Sequence, residues 1–228
     1  MSRAGKLIAI CGIDGSGKAT QAELLGERLE REGHAVRRVS FPRYGQGLFA
    51  DLIERYLRGE FAARAADISP YLAALPYALD RWQAAPALKQ WLAGGCVVLS
   101  NRYVPANMAH QGSKLPSGPD RQAFFRWVRE MEYGALGLPE PCLQILLDMP
   151  VETAARLAGG RAAQAGSAQA RDIHEADMGH LRATAEAYRQ VASQEPDRWT
   201  VVPCAPGGVL LPPAEIAEAV WAAAREVL

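Results

Sequence analysis

The chain has no charge to spare: 25 Lys and Arg stand against 25 Asp and Glu over 228 residues. A balanced chain projects no long-range field, so a polyanion such as nucleic acid is not expected as its main partner. A small anion needs only a few local arginines, and a small-molecule site stays open. Paired cysteines are also missing. Cys11, Cys96, Cys142 and Cys204 lie far apart without C-x-x-C spacing. Each sits in or beside an apolar, strand-like run, where a free thiol behaves as a small hydrophobe. Reduced core cysteines are expected, not disulfides or a cysteine metal site. No apolar run approaches the ~18 residues of a membrane span. Leu7 to Cys11 is too short for a signal-peptide core, with Asp14 close behind. A cytoplasmic protein is expected. Internal repeats and a convincing domain boundary are absent too, so residues 1–228 read as one domain, large enough to bury a substantial core.

What is present is an alternation of short apolar runs with longer helical patterns, which predicts an α/β fold: a parallel sheet wrapped by helices. Strands are expected at Leu7 to Cys11, Val36 to Phe41, Cys96 to Leu99, Leu143 to Leu147 and Val201 to Pro203. Helices are expected over Lys18 to Arg31, Leu48 to Leu57, Tyr71 to Leu92 and Phe124 to Tyr133, and from Pro213 onward. Pro76 and Pro86 predict that the third of these starts late or bends. From Gly159 to Ala170 the chain reads GGRAAQAGSAQA, small and aperiodic, flanked by Arg161 and Arg171. Two readings fit it: a disordered connector, or a lid carrying arginines over a nucleotide.

The most informative stretch is Gly12-Ile13-Asp14-Gly15-Ser16-Gly17-Lys18, between a strand and a helix. Glycines there let backbone N–H groups converge on a phosphate chain, and the helix N-terminus adds partial positive charge. Lys18 reaches the β and γ phosphates. The usual hydroxyl after the lysine, a Mg²⁺ ligand, is replaced by Ala19, with Thr20 next. Mg²⁺ is then left to phosphates, water and a carboxylate such as Asp14.

A phosphate loop does not by itself separate a GTPase, an ATPase and a small-molecule kinase. No N-K-x-D guanine motif is present. Five further segments occur in a telling order: Phe41-Pro42-Arg43-Tyr44; Tyr77 to Arg81; Asn101-Arg102-Tyr103 with Asn107; Leu136-Gly137-Leu138-Pro139 with Pro141; and Arg171 to Glu175. With Gly12 to Gln21 they resemble the thymidylate kinase family of P-loop nucleoside-monophosphate kinases, up to about Tyr188. The departures are Ala19, Asn101 for an acid, Cys142 for an acid, and His110 where the family often has Tyr.

The resemblance implies a three-layer P-loop fold with a five-stranded parallel sheet in order 2-3-1-4-5, a lid near residues 159–171, a homodimer, and transfer of the γ-phosphoryl of ATP to dTMP with Mg²⁺. It implies a donor-phosphate site of Gly12, Gly15, Ser16, Gly17, Lys18, Ala19 and Thr20 with the lid residues Arg161 and Arg171. It implies that Arg43 and Arg102 hold the acceptor phosphate, where planar guanidinium groups suit a phosphate. Both follow strand ends, where open α/β sheets build their crevice. Tyr77 would stack on thymine and Arg81, four residues on, would donate to a base carbonyl. Asn107 and Gln111 would meet the base edge, and His110 the sugar. Asp14 would contact the acceptor's 3′-OH or the metal, with Glu175 as a further metal candidate. Asp148 ends its strand without an assigned role. Two other readings remain: a kinase for another nucleotide or deoxynucleoside, motivated by His110 and Asn101, and a degenerate P-loop protein that binds nucleotide without turnover, motivated by Ala19 and Asn101. The Pro203 to Gly208 loop is the expected adenine wall.

Overall fold

Three of the strands are apolar almost throughout, because in a parallel sheet helices cover both faces. A computed structural model describes residues 4–62, 64, 67–164 and 178–228. Its strands β1 (Lys6–Cys11), β2 (Val36–Ser40), β3 (Val97–Asn101), β4 (Leu143–Asp148) and β5 (Trp199–Pro203) form one sheet. The order is β2-β3-β1-β4-β5, with every pair parallel. β1, β3 and β4 occupy the centre and carry the deepest residues, including Ile8, Ile10, Val98 and Ile145 at 0% exposure. Around them lie α1 (Lys18–Arg31), α2 (Leu48–Leu57), α3 (Pro70–Ala93), α4 (Val104–Gly112), α5 (Pro119–Arg129), α6 (Val151–Gln164), α7 (Met178–Gln194) and α8 (Pro213–Arg225). α1 packs on α8, and α4 packs on α3, α5 and α7.

The sheet order decides where chemistry can occur. β1 lies between β3 and β4, with Ile10 level with Asn101 on one side and Ile145 on the other. The chain leaving β1 enters the glycine loop, and the chain leaving β3 enters Arg102. Both exits therefore open into one crevice at the carboxyl edge.

One expectation is corrected. α3 does not start late: it begins at Pro70 and runs 24 residues, with Pro76 and Pro86 inside it. A proline frees the carbonyl four residues earlier, here those of Leu72 and Trp82. Both residues are exposed, so water can satisfy them. Residues 159–164 of the expected connector or lid continue α6. The rest of that segment, 165–171, lies outside the described residues. α4 had no visible amphipathic stripe for a physical reason: eight of its nine residues are buried, so no polar face exists to show a period.

Candidate active site

The loop after β1 is built by close approach. At Gly12 a Cβ would meet the Leu147 carbonyl at 2.9 Å, and at Gly15 it would meet the Ala154 carbonyl at 1.9 Å. Both glycines hold positive φ, where other residues are strained. Ser16 is buried and its Oγ has no hydrogen-bond partner among the described residues. Lys18 is 7% exposed and folds back, Nζ donating to the Ile13 carbonyl at 2.8 Å and lying 3.7 Å from Asp14 Oδ1.

Arg102 joins this loop to the next cavity. It is the one non-glycine residue at positive φ (63°) among the described residues, a conformation that costs on the order of 1–3 kcal/mol and persists only where surroundings enforce it. Its backbone N–H donates to the Ile10 carbonyl at 2.9 Å, and Ser100 Oγ donates to its carbonyl. The side chain is thereby aimed into the crevice. Nη2 donates to Asp14 Oδ1, and Nη1 to His110 Nε2 at 2.8 Å. An imidazole nitrogen that accepts carries no proton, so that contact fixes the His110 proton on Nδ1. Burial works against the guanidinium charge. Asp14, with Tyr188, Tyr44 and Tyr77 nearby, overrides it and holds the pKa above the ordinary arginine value.

A cavity of about 310 Å³ opens beside Arg102. It brings together Asp14, Tyr77, Arg81, Arg102, Asn107, His110 and Gln111, seven of the eight residues assigned to the acceptor from sequence. Its floor is a polar network. Arg81 (2% exposed) donates Nε and Nη2 to the two oxygens of Glu132 (0% exposed) at 2.6 and 2.7 Å. Asn107 Nδ2 donates to Glu132 Oε1 at 2.8 Å and to the Ala74 carbonyl at 3.0 Å. These bonds orient the amide, and among the described residues neither Asn107 Oδ1 nor Gln111 Oε1 has a donor. Two buried acceptors thus line a cavity that needs a ligand donor.

Arg43 is the eighth residue, and the structure separates it from this group. Its backbone N–H and Nε bind the two Asp80 oxygens at 2.9 Å each, and Nη2 binds Gln83 at 3.0 Å. It lines an adjoining cavity with Gln46 and Trp91 rather than the one holding Arg102. Asp80 is 1% exposed, so moving Arg43 away would leave a buried carboxylate without its partner. The expectation that Arg43 and Arg102 grip the same phosphate is not met by this placement.

Sequence reading missed Glu132, Tyr44 and Leu57, the last two also lining the cavity. Glu132 lies in a π-helical turn, Glu130–Ala135, which no periodicity announces. The available signal was Arg81 itself: an arginine on a buried helix face requires an acid. Leu136 to Pro139 shapes that turn, with Leu138 N–H donating to the Glu132 carbonyl and Tyr103 Oη to the Pro139 carbonyl. Asp148 pairs with Arg189 at 2.7 Å.

On the other side of the glycine loop lies a cavity of about 220 Å³. It is lined by Gly15, Ser16, Gly17, Thr20 and Gln21 together with Met149, Leu157, Leu210, Leu211, Pro213 and Ile216. The 203–208 loop, the expected adenine wall, does not line this cavity; its neighbours Leu210, Leu211, Pro213 and Ile216 do. Arg161 falls in the last turns of α6. Arg171 and Glu175 lie outside the described residues.

A parallel sheet in this order, a glycine loop with its lysine, and a polar cavity across the loop define a nucleotide kinase of the P-loop class. A family model described as thymidylate kinase matches residues 10–206. A thymidylate kinase of Mycobacterium tuberculosis (strain H37Rv) is 37% identical over 197 residues, covering 86% of this chain and 90% of the relative. That of Thermomicrobium roseum is 34% identical over 218 residues, 95% of this chain and 93% of the relative. The human one is 28% identical over 155 residues, 68% and 66%. The chain belongs to the thymidylate kinase family.

Proposed function

We propose that this protein moves the γ-phosphoryl group of ATP onto dTMP, giving dTDP and ADP. The observation that carries the reading is Arg102: strained at its backbone, braced by Asp14 and His110, it stands between the glycine loop and the 310 Å³ cavity. Phosphoryl transfer joins two anions, so it needs charge neutralisation and in-line placement above all. In this reading Lys18 and the loop N–H groups hold the donor phosphates, aided by Arg161 and Arg171. Arg102 receives the acceptor phosphate. The base lies against Tyr77, its N3–H donating to Asn107 Oδ1 and its carbonyl meeting Arg81. Arg43, bound to Asp80, stiffens the strand exit rather than touching the phosphate.

Mg²⁺ requires few protein ligands, since phosphates and waters complete its octahedron. Among the described residues no cluster of three metal-ligating side chains occurs. Asn101 Oδ1 has no hydrogen-bond partner among the described residues and shares the cavity with Asp14, a donor set that fits an ion held through water. When bound, the ion would neutralise charge on the transferring phosphates.

Homodimerisation is supported by α3, which is apolar on two sides. Ala74, Ala78 and Leu88 are buried, while Leu72, Leu75 and Trp82 are exposed. A second copy would cover that outer stripe; a monomer by analytical ultracentrifugation at micromolar concentration would remove this part of the reading. No helix among the described residues is long and apolar enough to cross a membrane, and four free cysteines fit a reducing cytoplasm.

A coupled ADP-release assay across dTMP, dUMP, UMP and thymidine tests the main reading. The expected order puts dTMP first. Preference for bare thymidine would leave Arg102 with no phosphate to hold and would sink it.

A further inference from the structure

We infer that Gln21 selects the donor nucleotide by its base, its Oε1 accepting a hydrogen bond from the 6-amino group of adenine. This rests on the reading that the 220 Å³ cavity takes the donor's nucleoside.

Gln21 sits in the first turn of α1, its N–H closing on the Gly17 carbonyl. It is 2% exposed and lines the cavity beside Thr20. Its Nε2 donates to the Pro213 carbonyl at 2.9 Å. Since two oxygens cannot hydrogen-bond each other, that contact fixes which end of the amide is which. Oε1 is left buried with no donor among the described residues. An orphaned acceptor at this depth is unusual and calls for an explanation.

The cavity supplies one. Leu157, Leu210, Leu211 and Ile216 offer the flat apolar contacts that suit a purine's faces, and sugar hydroxyls do better in water. A base buried there brings its edge amine with it, and that amine would be unpaired without an acceptor. Adenine presents N–H at position 6. Guanine presents an oxygen there, which would face Oε1 acceptor to acceptor. The same side chain thus rewards ATP and opposes GTP, as a polar site discriminates best when the wrong ligand leaves it unpaired.

The test compares ATP, GTP, 2′-deoxyATP and purine riboside triphosphate, which carries hydrogen at position 6, as donors to dTMP. For the wild-type enzyme, losing the amine is expected to lower kcat/KM about tenfold, the worth of one neutral hydrogen bond. GTP should be poorer still. In Gln21→Met, ATP and the 6-hydrogen analogue should become equal and the preference over GTP should narrow. Equal use of ATP and the analogue by the wild-type enzyme overturns the inference, and that arm needs no variant. So does a Gln21→Met enzyme that keeps the wild-type ratios, which would make Gln21 only a tether for α8. A loss that follows 2′-deoxyATP instead also overturns it, by moving the contact to the sugar. Leu210→Trp, at the cavity's half-buried wall, separates the premise: it should raise KM for ATP severalfold and leave that for dTMP alone. An unchanged KM for ATP would reject the cavity as the donor site, whatever Gln21 does.

Discussion

The two cavities flanking the glycine loop are built on opposite principles. The 310 Å³ cavity rests on paired charges, Arg81 with Glu132 and Arg102 with Asp14. The 220 Å³ cavity sets Met149, Leu157, Leu210, Leu211 and Ile216 against the glycine loop, with one buried amide, Gln21. A nucleotide held by its phosphates on a backbone cradle needs little from side chains. An acceptor that must be told from its close relatives needs prepositioned polar groups, and those groups must be neutralised while the site is empty. The network around Arg81 does this in advance.

That contrast yields expectations of descending size. Glu132→Ala leaves the buried Arg81 charge without a partner and should lower stability by about 3–5 kcal/mol in urea unfolding. The double replacement Arg81→Met with Glu132→Leu should recover most of that loss, yet bind dTMP weakly; a double variant as unstable as the single would show that the pair is not the reason. Lys18→Ala should cut kcat on the order of 10²–10³-fold while the circular dichroism spectrum stays that of the folded protein. Near-normal turnover would reverse the donor assignment. Tyr77→Ala should raise KM for dTMP roughly tenfold, the scale of one base–aromatic contact, and leave KM for ATP in place. An equal rise for both would erase the distinction between the cavities.

The smallest effect concerns Lys114, which forms no ion pair among the described residues. Lys114 Nζ donates to Tyr56 Oη at 2.6 Å, and burial pulls its pKa from 10.5 down to about 8. Below pH 8 folded and unfolded chains both carry the proton, and the burial penalty is complete. Between about 8 and 10.5 the folded chain has shed it first, so this group's contribution to stability rises with pH. Lys114→Met should therefore stabilise by on the order of 1–2 kcal/mol at pH 7, with the gain shrinking toward pH 10.5. A gain constant with pH would mean better packing, not relieved charge.

The glycine loop was legible because each of its residues answers a local demand of the backbone. The three central strands were legible because burial on both faces writes itself as a nearly unbroken apolar run. Tyr77, Asn107 and His110 came from motif order and do share one cavity. Arg43 shows the limit: its motif was intact, but Asp80, 37 residues away, turned it aside. Glu132 was invisible for a related reason, since a π-helical turn has no period and its partner lies 51 residues off.

What the sequence by itself determined is therefore the set of elements and the phosphate cradle, both fixed by short-range backbone sterics and hydrophobic spacing. Tertiary structure alone decided which charges meet. A guanidinium's partner is chosen by which helices pack together, and that choice carries no local signature. The division between a charged acceptor pocket and an apolar donor pocket came from the same source.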